Sequence, residues 1–189
     1  MNNYSTKTFG PLAHLVGTWE GEKGEDRAPD DDPREVEKNL YRERIVFEPL
    51  DPVNNHTQVL HGLRYSTTAW RIGTDTPFHE ELGYWLYDAK RKELIRCFMV
   101  PRGVTVLAGG IVEPEATEFD LSADAGSKTH GICSNTFLDE EFRTVRYELK
   151  VTLHEDGSFS YDEDTQLQIK GQTEIFHHTD ANRLARTTR

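Results

Sequence analysis

Two cysteines and two methionines in 189 residues leave little room for disulfide scaffolds or soft-metal clusters. Cys97 and Cys133 stand far apart, and Met1 to Gly10 lacks the apolar core of a secretory signal, so a cytoplasmic protein with free thiols is expected. No stretch approaches the roughly 18 to 20 consecutive apolar residues that cross a bilayer as a helix. Positive charge is also short, with 22 Lys and Arg against 33 Asp and Glu and a net charge of -11. That balance argues against nucleic acid and anionic membrane surfaces as partners and leaves small molecules open. The oligomeric state stays open.

Familiar catalytic patterns are missing as well. No Gly-x-Ser-x-Gly elbow occurs, and Gly109-Gly110 ends a strand-like run without opening a phosphate-binding helix. His79-Glu80-Glu81 lacks the second histidine of a helical zinc motif. Glu80 and Glu81 cannot act as a paired acid and base, because neighbours on a strand point to opposite faces. No catalytic residue is assigned.

What the chain does have is alternation. Gly17-Thr18-Trp19-Glu20-Gly21 puts an indole between two glycines just where a short leader with helical spacing, Phe9 to Val16, gives way to strand-like sequence. Trp19 is placed to fill the closed end of a barrel, with Gly17 and Gly21 allowing close backbone approach. The acidic run from about 22 to 38, with Asp30, Asp31 and Asp32 between Pro29 and Pro33, reads as a mobile loop inserted at the barrel mouth, where it would regulate access. Strand-like segments then follow at close spacing, among them Thr129 to Leu138 and a pair joined by Asp156-Gly157. The expected fold is all-β: one domain forming an up-and-down antiparallel barrel of about ten strands, resembling lipocalins and fatty-acid-binding proteins.

Histidine is the remaining candidate chemistry. Leu167, Ile169 and Ile175 are the apolar positions approaching the last strand, and if the alternation runs on unbroken, His177 faces inward and His178 outward. An imidazole facing the lumen is either a hydrogen-bonded core residue or a ligand for something bound there.

Three stretches carry a family likeness: Leu15-Val16-Gly17-Thr18-Trp19-Glu20-Gly21, Pro77-Phe78-His79-Glu80-Glu81-Leu82-Gly83-Tyr84-Trp85, and Gly171-Gln172 followed by His177. In this order they resemble the nitrobindin-like heme-binding β-barrels, which are related to fatty-acid-binding-protein-like barrels. The likeness implies a ferric heme b with His177 as the metal ligand, or His178 after a one-residue shift. It further implies a cavity walled by Trp19, Trp70, Trp85 and His79, and nitric oxide binding with a possible peroxynitrite isomerase activity. Family members carry a Tyr-Pro-Thr-Ile segment after the first strand, where this chain has Gly21-Glu22-Lys23-Gly24 and the acidic run. The alternative is a heme-free carrier of a fatty acid or other apolar molecule.

Overall fold

The computed structural model describes residues 4–30 and 35–187. A helical turn α1 (Thr6–Phe9) and a 3-10 turn (Gly10–His14) lead into β1 (Gly17–Pro29) and β2 (Val36–Pro49). Next come β3 (Val53–Asn55), β4 (Gln58–Arg71), β5 (Pro77–Asp88), β6 (Glu93–Val100), β7 (Val104–Ile111), β8 (Glu118–Ala125) and β9 (Gly131–Ser134). The chain ends with helix α2 (Thr136–Glu141), β10 (Phe142–Leu153), β11 (Phe159–Ile169) and β12 (Phe176–Arg186). The sheet runs β2-β1-β12-β11-β10-β8-β9-β7-β6-β5-β4, and pairing of β2 with β4 closes it into a barrel of eleven strands, with β3 as an extra strand beside β4. Closure removes the exposed strand edges.

The surplus over ten strands comes from short pieces. β9 lies parallel to β8 and antiparallel to β7. β7 and β8 themselves meet at a single register position, Gly109 opposite Ser122. The run Thr129 to Leu138, expected as one strand, is divided because the Asn135 side chain accepts a hydrogen bond from the Leu138 N–H at 3.0 Å and starts α2.

The leader closes one end of the barrel. Phe9, Leu12 and Leu15 are buried there beside Trp19, whose indole Nε1 donates to the Leu15 carbonyl at 2.6 Å. Burying side chains of this size contributes about 1.5–3 kcal/mol each. The glycines flanking Trp19 are required. Gly17 has φ +131°, and a Cβ on Gly21 would collide with the Arg183 carbonyl and the Asn182 side chain.

The acidic run is mostly not a loop. Residues up to Pro29 continue β1, and β2 resumes at Val36, with paired positions from Gly24 opposite Tyr41 to Pro29 opposite Val36. Strand pairing supplies backbone hydrogen bonds, and alternation sends Asp26 inward, where it is buried and bonded, so the acidity does not prevent order here. The expected loop over about 22–38 therefore shrinks to the short connection after Pro29, of which residues 31–34 lie outside the described part of the chain.

Candidate functional site

One face of every barrel strand points into the lumen, where a cavity of about 710 Å³ opens at the end opposite Trp19. Its floor is apolar, formed by Leu15, Ile45, Phe47 and Phe159, and Pro77, Phe78, Leu138 and Phe142 also line it. Between these apolar parts lies a belt of charged and phenolic side chains.

Arg96 is the centre of that belt. It sits on β6 between the buried Leu94 and Phe98, so the two-residue period of the strand sends its guanidinium inward. It ion-pairs with Glu81 on β5 and with Glu163 on β11, the latter at 3.0 Å. It also donates to the Tyr65 hydroxyl at 3.1 Å and to the Tyr147 hydroxyl. The rings of Tyr65, Trp85, Phe98 and Tyr147 lie within 4.4 to 5.7 Å of its Cζ. Burial opposes ionisation of Glu81, yet Arg96 and then His79 outweigh it and hold this carboxyl at about 2. Five strands are tied together by these contacts.

Beside it runs a second network. Tyr41 bonds Asp180 and shares a 2.8 Å hydrogen bond with Tyr161. Tyr161 donates to Glu43 at 3.0 Å, as does Asn182 at 3.1 Å. Burial raises Glu43 to about 7, and Asp180 is pushed well up by burial and by the charges of Glu163 and Glu43. Phenols and an amide, rather than cations, therefore satisfy these two carboxyls.

Toward the mouth two imidazoles reach the cavity, His178 from β12 and His79 from β5. His178 Nε2 lies 2.8 Å from Asp26 Oδ1. Asp26 also accepts from the Asn39 amide at 2.9 Å, and Arg71 Nε donates to Asn39 at 2.7 Å, so the ring is braced through three further side chains. Burial would raise Asp26, but the hydrogen bond and charge of His178 and the Asn39 amide hold it below the ordinary range. With Nε2 engaged by Asp26, Nδ1 is the ring nitrogen left for a metal. His79 Nε2 stands 3.7 Å from Glu81. Burial would depress His79, but Glu81, with Glu163 and Asp180 behind it, raises it to about 9. At neutral pH His79 is an imidazolium facing the cavity.

The expected facing of the histidine pair is corrected. His177 points away from the lumen, is exposed, and pairs on the outer wall with Asp164 at 2.7 Å. Residues 170–175 form a turn between β11 and β12, with Gly171 at φ +83°, and that turn resets the alternation. Counting inward positions across it gave the wrong parity. Register then sets His178 opposite Thr165, and Asp180 opposite Glu163, on the lumen side. Trp85 and His79 line the cavity as expected. Trp19 lies beneath it in the closed end, and Trp70 sits outside the lumen with the Arg42 guanidinium 4.3 Å from its ring. Glu80 is exposed and Glu81 buried, so they do not form a pair.

Arg96, Glu43, Asp180 and the four tyrosines were not singled out in the sequence. Their signal was available: each lies two positions from a residue that alternation sends inward, as Glu43 does from Ile45 and Arg96 from Leu94.

The chain is similar to a solved protein described as Rv2717c from M. tuberculosis, with a TM-score of 0.67 and 22% identity over 94% of this chain and 96% of that one. At that identity the likeness speaks for the fold. No curated protein matches the sequence. Residues 8–186, which include every strand of the barrel, match the family described as THAP4-like, heme-binding beta-barrel domain. The chain belongs to this family of heme-binding β-barrel domains.

Proposed function

We propose that the barrel binds heme b on the mouth side of the Arg96 belt, with His178 as the iron ligand. The observation that carries this reading is an imidazole on the lumen wall hydrogen-bonded to a carboxylate, His178 with Asp26 at 2.8 Å, whereas His79, the other imidazole at the cavity, stands 3.7 Å from Glu81. Second-side carboxylates of this kind fix the tautomer and orientation of metal-binding histidines and raise their basicity. The residues present fit the group. The donor is an imidazole, Phe78, Phe142, Leu138 and Val104 offer apolar contact, and Arg71 and Arg102 line the same cavity as partners for the two carboxylates of a porphyrin.

Heme held by one imidazole supplies an iron with one coordination position open to a small ligand such as nitric oxide or peroxynitrite. The chain's own part is positioning and charge. Asp26 holds the His178 ring, the belt limits how far a ligand descends, and the His79 imidazolium presents an N–H donor to an anion in the cavity. A fatty-acid carrier is less well supported, because the buried guanidinium of Arg96 is already matched by Glu81 and Glu163.

Hemin titration followed by visible absorption tests the assignment. His178→Ala should weaken binding at least tenfold and change the Soret band, while His177→Ala should leave both within about twofold of wild type. Equal loss in the two variants, or tight binding unaffected by His178→Ala, would rule out this ligand.

A further inference from the structure

Among the described residues five tyrosines are buried, and what each hydroxyl bonds divides them into three kinds. Tyr65 donates to Glu81 at 2.9 Å and Tyr147 to Glu163 at 2.7 Å, and Arg96 bonds both carboxylates and both hydroxyls. Its Cζ also stands 5.5 Å and 5.7 Å from the two ring centres. A cation in that place opposes loss of an electron from the ring, and Glu81, held at about 2, is a poor proton acceptor. Tyr87 donates to the Val112 carbonyl at 2.9 Å, which takes up no proton. Tyr41 and Tyr161 differ from these three. Their hydroxyls lie 2.8 Å apart, Tyr161 donates to Glu43 at 3.0 Å, Tyr41 bonds Asp180, and no cation bonds any of the four groups among the described residues.

Three links join Asp180, Tyr41, Tyr161 and Glu43 in a row, and each link holds one proton. The phenols supply two, and Asp180, kept protonated by burial and by the charges of Glu163 and Glu43, supplies the third. Glu43 therefore stands at the accepting end, and burial, which raises it to about 7, makes it a stronger base than an ordinary carboxylate. All four side chains line the cavity. We infer that Tyr161, coupled to Tyr41, is a redox site that gives one electron to a small oxidising radical entering the cavity while its proton passes to Glu43. The O–H bond of Tyr161 breaks, a new O–H bond forms on Glu43 Oε2 within ordinary proton-transfer reach, and the radical leaves as its anion. Electrons and charge balance: a neutral phenoxyl replaces a neutral phenol, and the negative charge of Glu43 departs with the anion, so no new charge is buried. Transfer of a hydrogen atom from Tyr41 across the 2.8 Å link then spreads the unpaired electron over two rings. Both rings are buried, which keeps the phenoxyl from coupling with radicals on other molecules. No metal takes part, so the inference stands apart from the heme assignment.

Pulse radiolysis of the heme-free protein with azide radicals at about pH 8, where Glu43 is ionised, tests it through the tyrosyl absorption band. Wild type and the control Tyr65→Phe should give a long-lived tyrosyl signal, and Tyr41→Phe/Tyr161→Phe should lose at least fivefold of it. Glu43→Gln keeps the shape but not the base, and the signal should form roughly tenfold more slowly. Far-ultraviolet circular dichroism checks that each variant is folded. In wild type a small nitrone spin trap followed by peptide mass spectrometry locates the radical without any substitution, and the adduct should lie on Tyr161 or Tyr41. Adducts only on other residues would overturn the inference, and so would an unchanged signal in the folded double variant or an unchanged rate in Glu43→Gln.

Discussion

The inner wall of this barrel and the outer wall of β5 to β7 have exchanged their usual chemistry. Glu81 and Arg96 point into the lumen, whereas Leu82, Tyr84, Cys97 and Met99, on the same two strands, face out. On both walls the strand period decides direction, and side-chain type follows from what each wall contacts. Inside, Arg96, Glu81, Glu163 and Asp26 are each tied to a partner, so the arrangement is stable only while each network is complete. Outside, exposed apolar side chains are tolerated.

The sharpest way to break this contrast is Arg96→Met. It leaves Glu81 and Glu163 without their shared cation and should cost about 3–5 kcal/mol in urea unfolding, as expected when half of a buried ion pair is removed. A loss below 1 kcal/mol would show that the belt does not hold the barrel together. Next in size, Asp26→Asn should weaken hemin binding by about 10- to 100-fold, because His178 loses its ionic partner while keeping a similar shape beside it. Unchanged affinity would remove Asp26 from the site.

A pH series sharpens the inner half of the comparison. Burial raises Glu43 from 4.5 to about 7, so between those values the folded chain keeps a proton that the unfolded chain releases, and stability falls as pH rises across that window. His79, raised from 6.5 to about 9, contributes fully below 6.5 and loses its contribution as pH rises through 9. Glu81, lowered from 4.5 to about 2, acts in the opposite sense: its contribution is present above 4.5 and lost as pH falls through 2. The thermal midpoint should therefore decline from pH 5 to 9, and Glu43→Gln should flatten the part between 5 and 7. A Glu43→Gln profile parallel to wild type would contradict a raised Glu43. The smallest effect belongs to the outer wall. Tyr84→Ser should change stability by no more than about 0.5 kcal/mol in urea unfolding.

Alternation made the architecture readable in the sequence, from the Gly-Thr-Trp-x-Gly opening to the Asp156-Gly157 turn, where Gly157 adopts φ +80°. It failed where counting crossed a break in the strand. His177 and His178 exchanged faces because the turn after Ile169 does not preserve parity, and no local feature of the sequence reveals how many residues such a turn absorbs. The acidic run was misread for a different reason. Composition signalled a solvated loop, while Asp26 is held inside by Asn39 and His178, partners 13 and 152 residues away. Arg96 illustrates the same limit, since its glutamates and tyrosines come from four other strands that only barrel closure brings together.

The central claim is that the lumen-facing imidazole, and not its outward neighbour, holds the iron. Chemical rescue tests it most directly: His178→Gly and His177→Gly are loaded with hemin, and visible spectra are recorded with and without millimolar free imidazole. The account predicts that His178→Gly loses the wild-type spectrum and regains it when imidazole fills the vacated position, while His177→Gly matches wild type in both conditions. A wild-type spectrum from His178→Gly without imidazole, or loss and rescue in His177→Gly instead, would contradict it.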